Sequence, residues 1–209
     1  MSISLDNTKD KFLYESLKLF AEKGFDAVSV AEIADSVGCT PPALYKHYES
    51  KQALWDAIIE KSNTGFSSRM NELKVNFINN EIERKRYVAM KEKEQIEVIK
   101  QLFLHTCFDE IPMLFRKMMI NEQFHRPEIA KEYNKRYFDS QIDSIEALMK
   151  EFIKEGKIKA RDARILAVDF ISPIIIYVNV CDREPKRKDD ALNAIECHIK
   201  EFNKKYIVN

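Results

Sequence analysis

Residues 25–51 read FDAVSVAEIADSVGCTPPALYKHYESK, and this stretch decides the fold. Ser29 is a natural N-cap and Glu32 follows three residues on, the spacing of a capping box that starts a helix. Val30, Ile33, Ala34 and Val37 then recur at i, i+3, i+4 and i+7, which gathers one apolar face. Gly38 supplies the left-handed C′ position that ends this helix. Two residues later Thr40 caps a second helix, with Pro41 at N1, where its missing N–H costs nothing. Leu44 and Tyr48 lie four residues apart and face inward, which leaves Pro42, Tyr45, Lys46 and Glu49 pointing out. Two short helices joined through a glycine-containing turn form the helix-turn-helix unit, whose second helix enters a DNA major groove.

The flanks extend the pattern. Phe12, Leu13, Leu17, Phe20 and Ala21 make an amphipathic helix that Gly24 terminates, and Phe25 is expected at C″, touching Phe20 in a Schellman stop. Downstream, Ser50 caps a fourth helix that begins KQALWDAIIE. The features LFAEKGFDA, the capped S-V-x-E-I-A helix, the V-G-C-T turn, the L-Y-x-H-Y helix and the S-K start of the next helix closely resemble the DNA-binding domain of the TetR/AcrR family of bacterial transcriptional regulators. The resemblance covers roughly Leu13 to Ile59; beyond it only the helical, apolar character and the length match. It implies an all-α chain: a helix-turn-helix DNA-binding domain at residues 1–50, then a larger helical effector-binding and dimerisation domain at residues 51–209. The function implied is that of a ligand-responsive repressor that leaves its operator when a small molecule binds.

Composition fits a globular protein. The 209 residues are 45% apolar and 33% charged, enough for one large domain or two modest ones. The apolar run from Phe170 to Val180 holds Ser172, Pro173 and Asn179 and is too short to span a bilayer, so no membrane is expected. The N-terminus lacks the plan of a signal peptide, and the four cysteines are scattered with no C-x-x-C pair, so reduced thiols in a cytoplasm are expected. The first 60 residues carry six lysines and no arginine against ten acids, a net charge of −4. Phosphate neutralisation supplies much of DNA affinity, so a monomer should bind weakly and two recognition helices should be needed together.

The rest of the chain reads as helices. The fourth is expected to run to about Phe77, the charged stretch EIERKR through MKEKEQ to be a solvated face or loose connection, and a helix from Ile96 to continue to about Pro112. Pro127 opens a long helix ending at Gly156; Asp162 caps the next, which Pro173 should kink, and Pro185 precedes the last. Only four glycines, no strand alternation and no internal repeat argue for an all-α fold. Consecutive Ile174, Ile175, Ile176, Tyr177 and Val178 are apolar on all sides of their helix, which predicts a homodimer through the last two helices, as the resemblance also implies.

The expected partner is double-stranded operator DNA. Ser29, Thr40, Tyr45 and Lys51 are the candidates for its backbone, and Lys46 with Pro41 and Pro42 for base edges, where the rings suit a thymine methyl. These two prolines depart from the polar or small residues that the family often places there. His47 either meets a phosphate or stacks on its own domain. Phe103, Cys107, Phe115, Met119, Phe124, Phe170 and Tyr177 are each ordinary core residues, yet together they are what a concave apolar site for a small apolar or aromatic effector would use. His105 and Cys107, two apart on a helix, point to different faces, so no metal is expected. No phosphate loop, H-E-x-x-H or nucleophile elbow is present, so neither catalysis nor a cofactor is expected. The alternative is an architectural or nucleoid-occlusion protein of the same fold with no small-molecule ligand.

Overall fold

The computed structural model describes residues 7–208. The chain divides into two compact units, one comprising the chain up to Arg69 together with Glu110–Tyr133, the other Met70–Asp109 and the chain from Asn134 onward. The boundary expected at residue 50 is therefore not where the units part. Leu54, Trp55 and Ile58 on the fourth helix are buried, and the Trp55 ring lies 5.8 Å from that of Phe20 and 5.4 Å from that of Phe25. The start of that helix completes the first unit's core.

The first unit holds α1 (Thr8–Lys23), α2 (Val30–Ser36), α3 (Pro41–Tyr45), the first turns of α4 (Lys51–Leu73), α7 (Glu110–Glu122) and most of α8 (Pro127–Asn134). Its core is Phe12, Leu17, Phe20, Ile33, Leu44, Leu54, Trp55, Ile58 and, from α7, Phe115, Met118 and Met119. The expected helix through Pro112 is two helices: Asp109 is extended, with φ −74° and ψ 130°, and α7 starts afresh after it. Pro112 then lies in a first turn, where backbone N–H groups have no intrahelical partner.

The second unit contains α5 (Glu81–Ala89), α6 (Glu92–Phe108), a π-helical stretch (Lys135–Asp139), α9 (Ser140–Lys154), α10 (Ala163–Arg183), a 3-10 turn (Pro185–Arg187) and α11 (Lys188–Tyr206). α4 stops at Leu73 rather than near Phe77. Lys74 adopts φ 56°, and the N–H groups of Lys74 and Val75 return to the carbonyls of Asn71 and Met70, a Schellman stop made without glycine. The charged stretch is no loose connection but the outer face of α5 and the start of α6. Tyr87 and Val88 are buried, and the Gln95 side chain donates to the Tyr87 carbonyl at 3.0 Å. The long helix expected from Pro127 to Gly156 is interrupted by the π stretch, which inserts extra backbone before α9. Asp162 caps α10 by accepting from the N–H groups of Arg164 and Ile165. Among the described residues there is no strand, only an isolated bridge between Ile158 and Ile207.

By length and composition α10 is apolar enough to cross a membrane, although the run inside it was expected to be too short. It packs on α6, α9 and α11, burying Leu166, Ala167, Phe170, Ile171, Ile174 and Cys181. Its other face leaves Ile165 62% and Ile176 59% exposed.

Candidate nucleic-acid interface

α2 is only seven residues long and begins at Ser29, whose Oγ accepts from the Glu32 N–H at 3.1 Å. The expected reciprocal half of the capping box is replaced, because the Glu32 carboxylate pairs with Lys23. That pairing holds the carboxyl below its usual range and the lysine above its own. α2 ends in a full Schellman motif. Gly38 has φ 70°, and the N–H groups of Gly38 and Cys39 reach the carbonyls of Asp35 and Ala34, both at 2.8 Å.

Thr40 takes the N-cap backbone conformation of α3, but its side chain makes no cap hydrogen bond and is exposed. The cap expected of its hydroxyl is absent, since Pro41 and Pro42 occupy the first two helical positions and lack the N–H that N2 would offer. Leu44 is fully buried and Tyr48 nearly so, with the Tyr48 hydroxyl donating to the Lys9 carbonyl at 3.3 Å. Burial pushes the Tyr48 phenol up to about 12. On the outer side Pro42, Lys46, His47 and Glu49 are exposed, Pro41 is half-buried, and Tyr45 is 53% exposed. His47 also lies against its own domain, its ring 5.9 Å from that of Phe12.

Lys51 departs from expectation. Its ammonium turns inward, donating to the carbonyls of Phe25 at 2.7 Å and Val28 at 2.9 Å and lying 4.3 Å above the Phe25 ring. The stop of α1 departs as well. Gly24 has φ 83° and ψ 162°, outside the left-handed helical region of a Schellman motif. The Phe25 N–H instead meets the Glu122 carboxylate of α7 at 2.6 Å. Phe25 does touch Phe20 as expected, ring to ring at 5.2 Å. Arg126 lies 5.2 Å from the Phe25 ring and 5.0 Å from that of Trp55, and Asn121 donates to the Ala21 carbonyl at 2.8 Å. Sequence reasoning missed Asn121, Glu122 and Arg126. They stand about a hundred residues from the loop they hold, and the only local signal is a carboxylate ending an apolar helix.

The residues expected to line an effector site do not fall in one unit. Phe103, Cys107 and Phe170 are buried in the core of the second unit, with Tyr177 packed against it. Phe115 and Met119 are buried in the first, where α7 packs along α1. Phe124 is 84% exposed in the turn after α7, where it lines no apolar interior. Phe170 borders a cavity of about 10 Å³ with Tyr87, Gln95, Phe152 and Phe202, room for about one water. His105 is buried, its Nδ1 2.5 Å from the Asp109 carboxylate at the end of α6.

A Schellman-stopped helix, a tight turn and a short helix with a free outer face define a helix-turn-helix domain, here joined to an all-α second unit. The family described as "Bacterial regulatory proteins, tetR family" matches residues 13–58. The HTH-type transcriptional regulator AcrR of Shigella flexneri is 24% identical over 178 residues, spanning 80% of this chain and 76% of that protein. Among solved structures, a TetR-family regulator from Mesorhizobium loti superposes with a TM-score of 0.69 at 16% identity, covering 96% of each chain. SmeT, the repressor of the Stenotrophomonas maltophilia multidrug efflux pump SmeDEF, gives 0.61 at 17% identity over 98% of this chain and 92% of its own, and is also known as a triclosan complex. Its helix-turn-helix region thus matches that of the tetR family of bacterial regulatory proteins, and the whole chain shares the fold of solved TetR-family regulators.

Proposed function

We propose that this regulator is a ligand-responsive repressor that acts in the cytoplasm as a homodimer on operator DNA. The observation that carries the DNA-binding part is the outer face of α3, where Pro42, Tyr45, Lys46 and His47 are exposed above a fully buried Leu44. On this reading the Tyr45 hydroxyl and the α2 and α3 N-termini, with Ser29 and Thr40, meet the phosphate backbone. Lys46, Pro41 and Pro42 read base edges. Two such helices meet half-sites about 34 Å apart or a multiple of that.

Dimerisation through α10 and α11 is supported by the exposed Ile165, Val168 and Ile176 on a helix otherwise apolar enough for a fully buried place. An apolar effector is supported by the aromatic interior around Phe103, Phe170 and Tyr177, and by the SmeT complex with triclosan. The cavity beside Phe170 is about 10 Å³, so an effector bound there would open the interior, and that opening would favour the DNA-free conformation.

The test is selection of a duplex from a random-sequence DNA library by the purified chain, followed by a screen for small apolar molecules that release it. Failure to select any duplex would sink the reading. Selection with no releasing molecule would favour the architectural alternative.

A further inference from the structure

The backbone N–H and C=O of Phe25 are both taken by side chains from other helices. Glu122 of α7 accepts the N–H at 2.6 Å, and Lys51 of α4 donates to the C=O at 2.7 Å. We infer that Glu122 and Lys51 are positioning residues for DNA binding. They hold the peptide groups on either side of the Phe25 Cα so that α2 and α3 are presented in one orientation. The inference rests on the DNA-binding reading above.

Three physical arguments carry it. First, α2 and α3 have seven and five residues, well short of the ~12–15 at which an isolated helix becomes even marginal, so their placement is imposed from outside. The loop from Gly24 to Ser29 is their lead-in, and Val28, buried in it, sends its carbonyl to the same Lys51 ammonium at 2.9 Å. Second, Glu122 is a buried carboxylate, and such a group is retained only where it is hydrogen-bonded. Its Oε1 would lie 3.1 Å from a Cβ built on Gly24, so the chain comes close at its glycine and no larger side chain fits without displacement. Third, an ammonium committed to two carbonyls and to the face of the Phe25 ring would have to give those up to reach a phosphate. Lys51 therefore contributes to affinity through the shape of the domain and not through release of counterions. Loosening the grip lowers the fraction of molecules in the binding-competent arrangement, and the apparent Kd rises as the reciprocal of that fraction.

The experiment uses the full chain and a duplex that the parent protein selects from a random library, with Kd measured from 50 to 200 mM salt. Glu122→Ala and Lys51→Met should each weaken binding on the order of tenfold, the scale of one lost charge-assisted hydrogen bond. The slope of log Kd against log salt should stay at the parent value. Removing a lysine that neutralised a phosphate would, by contrast, lower that slope by about one. The double variant should be little weaker than the worse single one, because both act on the same residue. Glu122→Gln, whose amide oxygen still accepts from Phe25, should recover most of the affinity. A Lys51→Met slope lower by about one would overturn the inference and return Lys51 to the phosphate backbone. Parent-like affinity in Glu122→Ala would overturn it as well. Should Glu122→Ala not fold, Lys51→Met decides alone, by its affinity and its slope. A parent chain that selects no duplex removes the DNA-binding reading itself, an outcome distinct from variants that bind as well as their parent.

Discussion

Lys46 stands exposed at the outer edge of α3, whereas Lys51 turns its ammonium onto the carbonyls of Phe25 and Val28. Truncating Lys46 to Ala should weaken binding and relax the preference at the base pair it reads, without changing thermal stability, because no core contact is lost. Tyr45→Ala should cost about 1 kcal/mol of binding, the scale of one net hydrogen bond; parent-like binding by both variants would remove α3 from the interface. The glycines make a second pair of predictions. Gly38 is left-handed with nothing within 4 Å of an added Cβ, so Gly38→Ala should cost about 1–2 kcal/mol in chemical denaturation. Gly24 sits at φ 83° and ψ 162°, a region essentially reserved for glycine, and also faces Glu122 at close range. Gly24→Ala should therefore cost roughly 3 kcal/mol, and a smaller loss than for Gly38→Ala would contradict the geometry. Ser29, Gly38 and Asp162 were legible because a cap is a local event of three or four residues. Glu122 was not, because its partner lies across the fold and nothing in the neighbouring sequence names it.

At the next scale up, α1 and α7 are joined at one end by Asn121 and Glu122 and at the other by Tyr14, whose hydroxyl donates to the Glu110 carboxylate at 2.7 Å. That bond and partial burial raise the Tyr14 phenol to about 12. A pKa raised on folding gives stability that is complete below the unfolded value near 10 and lost as pH climbs toward the folded one. Tyr48 in the same unit behaves alike. Urea midpoints should thus fall between pH 10 and 12, and Tyr14→Phe should shallow that fall while costing some stability at pH 8. An unchanged alkaline limb would mean that the Tyr14–Glu110 bond is not formed in solution. Outside α5, helix type was readable from apolar spacing, but helix ends were not always. α4 stops on a lysine in the left-handed region, and the helix after Pro127 passes through a π turn, neither of which has a compositional signature here. α5 was hidden by its own surface, since two buried residues, Tyr87 and Val88, are outnumbered by the charges around them.

For the molecule as a whole, the proposed homodimer rests on the exposed face of α10 bearing Ile165, Val168 and Ile176. Ile176→Asp should shift sedimentation at micromolar concentration from dimer to monomer and, with the first 60 residues at a net charge of −4, weaken DNA binding far more than its distance from α3 suggests. A dimer that survives this change would place the interface elsewhere. The division into units has a different kind of consequence. The first unit is discontinuous: α1 to the start of α4 must wait for α7 and α8, about forty residues further along the chain. Synthesis proceeds from the N-terminus at ~5–20 residues per second, so a ribosome that has released only the first 70 residues has released a domain still missing one wall of its core. During those seconds the face of α1 that packs on α7 has no cover, so slower translation between Met70 and Tyr133 should lower the yield of native chain.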